Sequence, residues 1–125
     1  MTVSVRYIVD NVETAVAFYS GTLGFKVDMY PAPAFAAVAR DDLRLLLSAP
    51  GGSGGGGRAM PDGRVQEPGG WNRIQLTVEN LDAVVGELRN SGVKFRNDIV
   101  EGVGGRQILV EDPAGNPVEL FQPAG

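Results

Sequence analysis

The chain has 125 residues with no histidine and no cysteine, is 43% hydrophobic, and sets 11 Lys and Arg against 15 Asp and Glu for a net charge of −4. That length suits one domain and leaves no room for a second full one. Lacking imidazole and thiolate, the chain cannot be a disulfide scaffold, a zinc finger, a Ser-His-Asp hydrolase or a Cys-His enzyme, and its acidic balance gives neither a nucleic acid nor an anionic membrane a basic field to bind.

Met1 leads directly into a short alternating segment, with no basic-then-apolar leader. No apolar run approaches the roughly 18–20 residues needed to span a bilayer, so a cytoplasmic location is expected. Alternation predicts a first strand with Val5, Tyr7 and Val9 toward a core and Ser4, Arg6 and Ile8 on the other side. Val12, Ala15, Val16 and Tyr19 then fall at i, i+3, i+4 and i+7, the spacing of an amphipathic helix. Asn11 stands where a side-chain carbonyl can cap that helix, Glu13 suits its positive end, and Gly24 is its stop signal. Strands are expected over Phe25–Tyr30, Phe35–Arg40 and Leu43–Ala49, with Arg40-Asp41-Asp42 as a hairpin turn.

Between Gly51 and Gly70 the composition changes, with half of the 18 glycines and only Met60 and Val65 as larger aliphatic side chains. No Gly-Lys-Ser/Thr follows, so a phosphate-binding loop is not indicated. A flexible connector or a lid over a site remain as readings.

Beyond it the first pattern returns. Val5–Tyr19 aligns without gaps on Ile74–Leu88, placing Val9, Asn11 and Val16 on Val78, Asn80 and Val85. Leu81, Val84, Val85 and Leu88 repeat the helical spacing, with Asn80 as cap, Asp82 in the first turn and Gly92 as stop. Strands follow over Val93–Asp98, Arg106–Glu111 and Pro117–Gln122, the last two joined by an Asp112-Pro113-Ala114-Gly115-Asn116 turn. The expected protein is therefore α+β, a single domain over 1–125 made of two βαβββ modules, 1–50 and 71–125, around the linker 51–70. Eight strands form mixed sheets, each with one helix on one face and the other face free to line a concavity.

Val9-Asp10-Asn11-Val12-Glu13 leading to Phe18-Tyr19, then Leu23-Gly24-Phe25, and the closing Asp112 to Leu120 resemble the vicinal oxygen chelate superfamily of glyoxalases, bleomycin-resistance proteins and extradiol dioxygenases. The resemblance covers nearly the whole chain. It implies four metal-ligand positions, typically His or Gln early and Glu late in each module, which fall here on Ser4, Leu46, Arg73 and Glu119. Only Glu119 keeps a ligand-type side chain. Leu46 has no donor atom, Arg73 would repel a divalent cation, and a lone serine hydroxyl is a poor ligand. No metal and no cofactor are therefore expected.

The same alternation sorts the remaining candidates. Ser4, Arg6, Arg44, Arg73, Gln75, Gln107 and Phe121 are expected on the free sheet faces as ligand-binding residues, together with Tyr30 at a strand end and Trp71 at the start of the second module. Arg73 is expected to pair with Glu119, chiefly as a structural ion pair. Arg6 and Arg44 are candidates for clamping an anionic or carbonyl-bearing ligand, or else solvated arginines at a rim. Glu119 is the one candidate catalytic group. The expected function is a metal-free, bleomycin-resistance-like homodimer binding a small organic molecule, with no nucleic-acid or membrane partner. Two alternatives stand: a lyase, isomerase or dioxygenase-type enzyme using Glu119 as base or sole retained metal ligand, and a dimerising module without a ligand.

Overall fold

In the computed structural model, which describes residues 3–51 and 55–125, the chain divides into two units, one ending at Gly69 and the other beginning at Gly70. The first contains β1 (Val5–Ile8), α1 (Val12–Gly21), β2 (Lys26–Ala32), β3 (Phe35–Arg40) and β4 (Leu43–Ser48). Its sheet runs β1-β4-β3-β2, with β1 parallel to β4 and the other neighbours antiparallel. The second contains β5 (Ile74–Thr77), α2 (Leu81–Asn90), β6 (Lys94–Phe95), β7 (Val100–Glu101), β8 (Gly105–Glu111) and β9 (Pro117–Pro123). Its order, β5-β9-β8-β6, again pairs the first strand in parallel with the last, and β7 adds to β8.

Local chemistry accounts for both helices. The Asn11 side chain accepts from the Thr14 amide at 3.0 Å, and the Asn80 side chain from the Ala83 amide at 3.1 Å, each satisfying a first-turn donor that has no partner within its helix. Gly24 and Gly92 take positive φ of 76° and 78° just past the two helices, a conformation that glycine adopts without strain. Val12, Ala15 and Tyr19 are buried on α1 and Leu81, Val85 and Leu88 on α2. Tyr7, Val9, Ala36, Val38, Leu45 and Leu47 are buried in the first sheet, and Ile74, Leu76, Ile108, Val110, Val118 and Leu120 in the second. These residues alternate along their strands, so each unit has one helix-covered face and one helix-free face.

Two expectations need correction. Phe25 does not begin β2: its amide bonds the Tyr19 carbonyl and its buried ring meets Tyr19 edge-on at 5.4 Å, so it closes the helix end instead. The strand expected over Val93–Asp98 breaks off after β6, and the separate β7 lies beyond the expected span, making nine strands among the described residues. Asn97 causes the break. Its side-chain oxygen accepts from the Leu109 amide at 2.9 Å, taking a ladder bond that a backbone carbonyl would otherwise make.

The glycine-rich segment is bonded to itself where it is described; its residues 52–54 lie outside the described residues. Gly55–Gly57 form one tight helical turn, the Gly51 amide donates to the Gly57 carbonyl, and the Gln66 side-chain amide donates to the carbonyls of Gly56 and Arg58. The Asp112–Asn116 turn is tightly built. Asp112 is buried, and its Oδ1 accepts from the amides of Ala114 and Asn116 while Oδ2 accepts from the Asn116 side chain. Among the described residues no helix is long and apolar enough to cross a membrane.

Candidate functional site

The helix-free face of the second unit centres on Glu119, whose side chain is only 8% exposed. The β5–β9 register sets Gln75 directly beside Glu119, and Arg73 lies two residues earlier on the same side. Arg73 donates through Nε at 2.9 Å to Oε1 and stands through Nη2 at 2.9 Å from the same oxygen, while the Gln75 amide donates to Oε2. Both carboxylate oxygens are thereby engaged, which offsets the cost of burying the charge. Leu109 faces Glu119 across β8–β9, and Gln107 faces Phe121 one step further along the same face.

Trp71 is 70% exposed, and one face of its ring lies 4.7 Å from the Arg96 guanidinium carbon. Arg96 is held on three sides, by Glu111 at 2.8 Å, the Gly70 carbonyl at 2.7 Å and the Gly115 carbonyl at 2.9 Å. An open pocket of about 520 Å³ is lined by Gly70, Trp71, Lys94, Phe95, Arg96 and Glu111. Sequence reasoning missed Arg96. The usable signal was Lys94-Phe95-Arg96, whose alternation puts both cations on the side of Glu111, the register partner of Lys94.

The first unit's face is built differently. Arg6 stands beside Leu46 in the β1–β4 register, and no carboxylate pairs with Arg6 among the described residues. Arg44 turns instead toward the outer strand, donating to Asp28 at 3.0 Å and lying 3.7 Å from the Met29 sulfur. Ser4 is exposed just before β1. Tyr30 is exposed on β2, at the opposite edge of the sheet from Arg6. Three strand spacings separate those edges, about 14 Å, so Tyr30 and Arg6 make no common site within this unit.

A family model, the Glyoxalase/Bleomycin resistance protein/Dioxygenase superfamily, matches residues 3–120. The chain belongs to that superfamily. A superfamily member from Sphaerobacter thermophilus is similar over 98% of this chain and 96% of its own, at 29% identity and a TM-score of 0.76. An antibiotic binding protein from a Streptomyces species is 26% identical over 99% of this chain and 96% of its own, with a TM-score of 0.74. The bleomycin-binding protein of Streptomyces verticillus shares the fold at 23% identity and a TM-score of 0.65, over 99% of this chain and 97% of its own. No curated protein matches the chain.

The metal that the superfamily resemblance implies does not fit the donor set. Among the described residues no three Asp, Glu, His or Cys side chains gather as ligands. The one ligand-type residue, Glu119, already gives both oxygens to Arg73 and Gln75, and the Arg73 cation in contact with it opposes a second positive charge.

Proposed function

We propose that this protein is a metal-independent binding protein of the superfamily, which holds a small organic molecule against its helix-free sheet faces. The observation that carries this reading is the commitment of Glu119 to Arg73 and Gln75 at the place where a metal ligand is expected. A carboxylate held in this way is neither a free base nor an open ligand. What remains on these faces suits binding: paired and unpaired arginines, neutral donors at Gln75 and Gln107, and the exposed indole of Trp71. The 26% identical antibiotic binding protein supports the same direction. Ser4, Arg6, Tyr30, Arg44, Trp71, Arg73, Gln75, Gln107 and Phe121 are the proposed contact residues, in a cytoplasmic homodimer.

A thermal-shift screen of aromatic, thiol-conjugated and antibiotic compounds, run in the presence of a chelator, tests the binding claim. At least one class is expected to raise Tm in a saturable way. Shifts seen only after a divalent metal is added would overturn the metal-independent reading. Sedimentation velocity checks the dimer.

A further inference from the structure

We infer that Arg6 and the Ser48 hydroxyl form a subsite for an oxyanion, a carboxylate carried on an apolar body, and that the Gly55–Gly57 turn occupies this subsite when no ligand is bound. The inference rests on the proposed binding function and names the chemistry of one end of the ligand. Ser48 is 3% exposed, and its Oγ has no hydrogen-bond partner among the described residues. A buried hydroxyl without a partner is unfavourable, and alanine would fill the same place at no such cost. Beside it lies Arg6, which has no carboxylate partner among the described residues, whereas Arg44 on the same sheet face is paired with Asp28.

The backbone of Gly56 shows that the two donors converge. The point where a Cβ on Gly56 would stand is 2.6 Å from Arg6 Cζ, 2.7 Å from Arg6 Nε and 2.9 Å from Ser48 Oγ, so the guanidinium and the hydroxyl border one space that the Gly56 backbone fills, and an oxyanion between them needs the turn to withdraw. Phe35 and Ile8 are the register partners of Ser48 in β3 and β1 and give the surroundings an apolar character. Uncharged neighbours strengthen the preference of a guanidinium for an anion over a neutral carbonyl. Glycine lets the turn lie this close: a side chain at Gly56 would meet Arg6 and Ser48, and one at Gly57 would collide with the Ala49 carbonyl oxygen. The turn and the oxyanion therefore compete for one space.

Benzoate and its neutral isostere benzamide are the probes, titrated into the full-length, isotope-labelled protein while the amide signals of Gly55–Gly57 and Ser48 are followed. Benzoate is expected to saturate these shifts and to bind at least about tenfold more tightly than benzamide. Arg6→Gln and Ser48→Ala should each remove most of that preference. Ser48→Ala should at the same time leave the unliganded Tm unchanged or higher, which a structural serine would not do. Gly57→Ala, by expelling the turn, should tighten benzoate binding.

Equal affinity for the two probes would overturn the inference, as would a charge preference untouched by both Arg6→Gln and Ser48→Ala. If benzoate moves signals along β3 and β4 with no dependence on Arg6, the oxyanion subsite is wrong while the binding function stands. If neither benzoate nor any screened compound binds, both fail.

Discussion

Leu46 and Glu119 occupy the same place in two copies of one topology, each on the last strand beside the first, facing Arg6 in one unit and Gln75 in the other. In the second unit the buried carboxylate recruits Arg73 and Gln75 and the charges close on themselves. In the first, leucine removes the carboxylate and Arg6 is left with no counterion among the described residues. The fold's frame thus tolerates opposite electrostatic solutions at one address. Strand order fixes which residues meet, and the identity of a single side chain decides whether the charges of the face close on themselves or leave an arginine without a counterion.

Breaking the closed cluster should have the largest effect. Arg73→Leu leaves a buried carboxylate without its cation and is expected to cost about 3 kcal/mol, read as a lower urea midpoint at unchanged m. Adding Glu119→Leu, which copies the solution at Leu46, should return the protein to within about 1 kcal/mol of wild type. If the single variant lost no stability, the cluster would be a solvated contact and the contrast between the units would disappear.

The two turns that join the last two strands of each repeat come next. Asp112→Ala strips two backbone amides and the Asn116 side chain of their acceptor and should lower stability by about 2 kcal/mol. Asp42→Ala, at an exposed turn position of the first unit, should stay within about 0.5 kcal/mol. Chemical denaturation of both variants compares them directly.

The helix caps sharpen the likeness between the units. Asn11→Ala and Asn80→Ala should each cost about 1 kcal/mol, and thermal melts that separated them widely would show that the caps are not equivalent. The smallest effect concerns acid. The Arg106 guanidinium, bonded to Asp82 at 2.8 and 3.1 Å, holds the Asp82 carboxyl below its ordinary value of 3.8. A depressed folded-state pKa contributes stability above the ordinary value, and this is lost as pH falls through the lowered one. Glu13, at the matching place in α1, has no such partner among the described residues. Acid titrations of stability should therefore flatten below about pH 4 in Arg106→Gln relative to wild type.

Much of the frame was legible in the sequence because its signals are local. Asn11 and Asn80 cap within three residues, the apolar positions repeat at helical spacing, and Gly24 and Gly92 supply positive φ where each helix ends. Counting along the two repeats also set Arg73 against Glu119 correctly, since alternation carries over between paired strands. What escaped depends on partners distant in sequence. Asn97 breaks its strand by bonding Leu109, Arg44 is claimed by Asp28, and Arg96 is locked by Glu111 and two carbonyls. The seat of the Gly55–Gly57 turn was equally hidden, because composition reports that glycine is permissive and not that a Cβ at Gly57 would strike Ala49.

The most direct measurement is equilibrium dialysis of the wild-type protein against zinc, nickel, iron and manganese, followed by elemental analysis. With Glu119 committed to Arg73 and Gln75, no metal should be retained in stoichiometric amount. One equivalent of any of them, lost on Glu119→Gln, would contradict the account.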